Sequence, residues 1–184
     1  MMPRAALLAV LVLLFAAAMF PPPPSGFRFR FKGQEHVLRF PLRGQSIPFF
    51  PRARHSNAQL DTLSSCYWVQ RQYVEIIRQD DPTTPRLGVA LGFEFDEEAD
   101  TYPYTPSHAV IQVKDFRWGG VEFGQRDTFN YTGVANEISE DIQVEVDSFR
   151  NDTLYGRFSG LLLSGSDQMG ALEDGVFVVK IYRK

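Results

Sequence analysis

Hydrophobic and polar residues alternate strictly over residues 27–32: Phe27, Phe29 and Phe31 share one face of an extended chain and Arg28, Arg30 and Lys32 the other. A period of two predicts a half-buried strand. Gly33 and Gln34 supply a turn, and residues 37–42 form a second short run. Residues 43–58 hold Pro48 and Pro51 and lack a period, which predicts a loop with Phe49 and Phe50 either tucked beneath it or exposed as contact residues. Residues 66–77 carry two competing patterns. Cys66, Val69, Tyr73 and Ile76 fit a helical face, whereas the aromatic and β-branched content favours a strand, which is the reading adopted. Further strands are expected over residues 87–95, 110–116 and 127–133. Ile142, Val144 and Val146 alternate with Gln143, Glu145 and Asp147, then a polar turn at residues 150–153 leads into residues 154–163, the pattern of a hairpin. Glu173-Asp174-Gly175 reads as a turn before a last strand with Phe177, Val179 and Ile181 facing inward. About eight or nine short strands at this spacing predict an all-β, antiparallel β-sandwich.

Ahead of this domain, residues 5–20 are sixteen consecutive apolar residues preceded by Arg4, the layout of an export signal. Read as a helix, residues 3–20 span about 27 Å at 1.5 Å per residue, close to a ~30 Å hydrocarbon layer. Residues 1–20 are therefore a signal peptide or an uncleaved transmembrane anchor. Ala16 and Ala18 fit a cleavage site, but Pro21 to Pro24 follow at once and stiffen the chain there. The bases at 28, 30, 32 and 39 outnumber Arg4 and pull the other way on sidedness. Export remains the reading, with an extracytoplasmic location in the periplasm or at the cell surface, because long domains translocate despite charge. Residues 21–26 form a proline-rich spacer, and residues 27–184 one domain of ordinary size.

The 16 Phe and 7 Tyr reinforce the β reading, and the single Cys66 rules out an intramolecular disulfide. Charge is unevenly placed. Residues 21–54 carry seven bases against the single acid Glu35, while residues 55–184 carry 11 bases and 21 acids. The simplest account pairs the basic first strands within an acidic sheet. The sharper one makes Arg28, Arg30 and Lys32, with Phe49 and Phe50, a contact for a partner or anionic lipid. The acidic bulk argues against nucleic acid.

No catalytic constellation stands out. There is no Gly-x-Ser-x-Gly elbow, and Cys66 is read as a buried thiol rather than a partner of His36, His55 or His108. The histidines lack metal-ligand spacing. The acidic run at residues 96–100 lacks the glycine and spacing of an EF-hand and reads as a solvated loop. Neither a cofactor nor a metal is expected. Tyr102, Tyr104 and Trp118 are the candidates for stacking on a sugar ring, with core packing as the alternative. Asn130-Tyr131-Thr132 and Asn151-Asp152-Thr153 are glycosylation sequons, relevant in a eukaryotic source.

Four stretches, Phe29-Arg30-Phe31-Lys32-Gly33-Gln34, Ile142-Gln143-Val144-Glu145-Val146-Asp147, Leu154-Tyr155-Gly156-Arg157-Phe158-Ser159-Gly160 and Glu173-Asp174-Gly175-Val176-Phe177, resemble a family of bacterial secreted and lipoprotein β-sandwich domains with no assigned activity. The resemblance covers residues 27–184 and implies the sandwich fold, with no functional residues to carry over. Members of that family commonly carry a lipid on a cysteine just after the signal; this chain has none there, which strengthens the anchor reading. The expected function is a non-enzymatic, tethered or exported accessory subunit that docks on another envelope protein or membrane complex. The alternatives are a soluble glycan-binding module and an unrecognised hydrolase with carboxylates on adjacent strands.

Overall fold

Wherever apolar and polar residues alternate, the chain is extended. The computed structural model describes residues 25–41, 64–81, 86–99, 101–118, 126–164 and 168–184, with backbone alone for 116–118 and 126–129. The hydrophobic segment, Pro21 to Pro24 of the spacer, Phe49 and Phe50 lie outside these residues, and Gly26 of the spacer opens the first strand. Eleven strands follow one another: β1 (Gly26–Phe31), β2 (Gln34–Leu38), β3 (Ser65–Trp68), β4 (Tyr73–Gln79), β5 (Leu87–Glu94), β6 (Ala109–Trp118), β7 (Arg126–Ala135), β8 (Ile142–Arg150), β9 (Thr153–Ser164), β10 (Met169–Lys180) and β11 (Tyr182–Arg183). Among the described residues there is no α-helix, and no helix long and apolar enough to cross a membrane.

All the strands belong to one sheet, in the order β11-β3-β4-β5-β6-β7-β9-β10-β1-β2, with β8 attached to β9 outside this path. The sheet is open and curled into a half-barrel. The all-β expectation is met, but the described residues form one continuous sheet instead of the two facing sheets expected of a sandwich. Two features tie the curl together. Past β2, Phe40 exchanges two backbone hydrogen bonds with Gln79 of β4, at 3.1 and 2.8 Å. After β10, the chain crosses to run parallel to β3 as β11, where Arg183 bonds Glu97 and Asp152, each at 2.9 Å.

The concave side is filled. Phe27 and Phe29 of β1 pack edge-on or tilted against Phe158 of β9, at 5.5 and 5.8 Å between ring centres. Phe158 stacks on Phe177 of β10, which reaches Phe93 of β5 at 6.0 Å. These contacts run from one end of the strand order toward the other, and each ring pair adds about 0.5–1.5 kcal/mol beyond its buried area. The phenylalanines that alternation placed on one face of β1 are the ones buried at 1–3% exposure.

Two local expectations change and one is met. Residues 66–77 are not one strand: a 3-10 turn at Val69–Arg71, ended by Gln72 in the left-handed region at φ 48°, separates β3 from β4 and folds them into an antiparallel pair. Glu173-Asp174-Gly175 is not a turn but a bulge inside β10, where the register to β9 shifts between Leu172 and Gly175 and Asp174 has φ 50°. The extra residue lets β10 bend without leaving the sheet. Finally, Arg28 and Arg30 pair locally, Arg28 with Glu35 at 2.7 Å and Arg30 with Asp174 at 2.5 Å, as the simplest charge account expects.

Candidate binding groove

The sheet forks at β9. From Thr153 to Gly160 this strand pairs with β8, then at Leu163 and Ser164 it pairs with β7, while β10 lines its other edge throughout. Asp141 bridges the fork, its N–H donating to Val134 O at 3.1 Å and its carbonyl accepting from Leu161 N–H at 2.8 Å. The crossing is so close that a Cβ on Gly160 would stand 2.4 Å from Asp141 O and 2.6 Å from Ile142 Cα, and Gly160 itself has φ 153°. Only glycine occupies that combination without strain.

A groove of about 830 Å³ lies at the fork, lined by exposed polar side chains of β8 and β9 and by buried apolar ones such as Ile142, Val144 and Phe158. One rim is Thr105 to Ser107, the other Asn136 to Glu140, and Gln143, Glu145, Arg157, Ser159 and Asp174 contribute to its lining. Both rims are held by specific bonds. Tyr104 and Val146 exchange backbone hydrogen bonds at 2.9 and 2.8 Å, which seats the first rim against β8. Asn136 Oδ1 accepts from the N–H groups of Ile138 and Ser139, both at 2.8 Å, which shapes the second. Ser107 Oγ donates to Glu94.

Acids outnumber bases in the lining. Glu140, Glu145 and Asp174 face one arginine, Arg157, whose guanidinium is held between Asp147 and Glu145 and pushed further up by Asp147 first. Asp174 is engaged with Arg30, and Glu140 is in no ion pair among the described residues. Beyond Ser159 the outer face of β9 turns apolar. Leu161 and Leu163 are 44% and 48% exposed, and Met169, opposite Leu163 on β10, is 63% exposed.

The residues singled out from sequence are scattered. Tyr102 and Tyr104 are half-buried against the core, Tyr104 edge-on to Phe95 at 5.8 Å, and burial pushes both phenols up. Trp118 ends β6 with its backbone opposite Arg126; its side chain lies outside the described part. Lys32 donates to the Tyr131 hydroxyl and sits 4.2 Å from that ring's centre. Cys66 is fully buried opposite Glu75, and burial first, then the Glu75 charge, pushes its thiol up to about 11. Such a thiol is a poor nucleophile near neutrality. Among the described residues no three His, Cys, Asp or Glu side chains are grouped to hold a metal ion.

The groove residues Glu140, Glu145, Arg157 and Asp174 were not found from sequence. One signal was available: residues 127–149 contain six acids and no Lys or Arg. No family model, no curated protein and no solved structure matches the chain.

Proposed function

We propose that this chain is a non-enzymatic, exported domain that works by docking on another protein of the cell envelope, tethered by residues 1–20 or released from them. The observation that carries the reading is the apolar strip of Leu161, Leu163 and Met169 running on from the polar groove along the same outer face. An apolar patch beside polar, hydrogen-bonding surface is the make-up of a protein interface. The filled interior favours the outer face as the site of recognition, because the aromatic rings occupy the space a barrel-type ligand would need. Buried Cys66 and the ion-paired Glu145 and Asp174 supply no evident nucleophile or acid and base pair, which favours binding over hydrolysis.

The test is the charge-introducing variant Leu163→Glu. Its site is half exposed, so the stability loss is about 1 kcal/mol, too small to unfold the domain. In native gels of gently solubilised cell envelopes, the wild-type chain migrates in a complex larger than its own mass and the variant migrates alone. Identical migration of the two removes the strip from the function.

A further inference from the structure

We infer that the groove at the β8–β9 fork receives a short, extended, basic segment of the docked partner, a Lys or Arg side chain set against Glu140. The inference rests on the docking reading above and adds the chemistry of what docks.

Charge is the first argument. Three carboxylates and one guanidinium line the groove, and that guanidinium is already engaged by two carboxylates, one of them outside the groove lining. Glu140 stands at the rim without an ion pair among the described residues, and residues 127–149 around it contain no base. With Arg157 and the Arg30 that holds Asp174 both counted, carboxylates remain in excess here, which favours basic partners and speeds their encounter.

The backbone supplies the second argument. Tyr104 and Val146 form a bonded antiparallel pair, so the next bonded pair in that register is residue 106 with Val144. Residue 106 is a proline and has no N–H to give. Pairing stops there, and among the described residues no backbone bond joins Val144 to this rim. Val144 lines the groove wall, with its N–H and C=O turned to the same side as those of Val146. An extended segment matches such a wall because its main chain offers donors and acceptors at strand spacing. The volume of about 830 Å³ lies within the roughly 300–1,000 Å³ typical of ligand sites. A sugar is the poorer fit: Tyr102 and Tyr104 are committed to the core, and Phe158, the aromatic in the lining, is buried at 3% exposure.

The experiment uses the full-length chain in detergent and two fluorescent heptapeptides, one alternating Lys with Ala and one alternating Glu with Ala, read by anisotropy at about 0.15 M salt. The lysine peptide is expected to bind and the glutamate peptide not to bind. Glu140→Gln weakens binding about three- to fivefold, the size of one solvent-exposed charge pair. Glu98→Gln, in the exposed turn after β5, leaves it unchanged. Equal loss in both variants would mean diffuse attraction to an acidic protein, and binding of both peptides or of neither would also overturn the inference. The two readings fail separately. A complex that is lost in Leu163→Glu but formed by a partner lacking any basic segment overturns the groove assignment and leaves docking intact.

Discussion

The fork that builds the groove turns on one residue, and replacing it tests the geometry. In Gly160→Ala, the new methyl group must occupy a point 2.4 Å from Asp141 O and 2.6 Å from Ile142 Cα, both backbone atoms that no rotamer change can move aside. The backbone at φ 153° adds strain of about 1–3 kcal/mol for a residue with a side chain. Overpacking adds a further cost of about 1–3 kcal/mol, so the expected loss is about 3 kcal/mol. For a domain of this size that lowers the melting temperature by about 6–12 °C. Urea unfolding followed by tryptophan fluorescence gives the free energy, with Ser159→Ala, on the half-buried outer face next door, as the control expected to stay within about 0.5 kcal/mol. A Gly160→Ala protein as stable as the wild type would mean that β8 and β9 do not cross as described, and the groove would go with them.

Three further outcomes follow from the same geometry. Cys66 should resist alkylation in the folded protein at pH 8 and react fully in denaturant, since its thiol is pushed up to about 11; fast labelling of the native state would place it at the surface. Burial lowers the pKa of His36 below 6.5 against the pull of Asp80 and Asp115, so the unfolded chain takes up that proton first. The stability concerned is present above about pH 6.5 and is lost as pH falls through the window below it, a loss that His36→Gln should reduce in urea melts at pH 7.5 and 5.5. Glu75 has the opposite sign: burial raises its pKa above 4.5, so stability is lost as pH rises through the window just above that value, and Glu75→Gln should flatten that slope. Deleting residues 1–24 should give a folded chain that no longer sediments with membranes; retention by that protein would refute a tether.

The parts of the fold that were legible in the sequence are those set by neighbours along the chain. Phe27, Phe29 and Phe31 declared β1 because each second residue must face the core, and Ile142, Val144 and Val146 declared β8 for the same reason. The polar turn between β8 and β9 was legible too, since Asn151 and Asp152 both adopt positive φ, at 52° and 58°, as a two-residue hairpin turn requires. The bulge at Asp174 was misread because a residue that tolerates positive φ, followed by glycine, has the same chemistry whether the chain reverses or only bends. Strand pairing is beyond local pattern altogether: nothing near Ser164 announces that β9 leaves β8 for β7, and alternation is the same in one curled sheet as in two facing ones. The groove is a product of that fork, which is why its carboxylates, drawn from β10, β8 and the turn before β8, did not stand out as a set. The tyrosines at 102 and 104 had the right chemistry for an exposed platform, but their packing against Phe95 and its neighbours depends on contacts distant in sequence.

Docking through the outer face of the fork is the central claim, and site-specific photo-crosslinking in the intact cell envelope tests it most directly. A benzophenone residue is placed in turn at Gln143 in the groove, at Leu163 on the apolar strip and at Glu98 on a remote turn. The account predicts one discrete adduct to the same protein from the first two positions and none from the third. Adducts of equal yield from all three, or none from the groove and the strip, would contradict it.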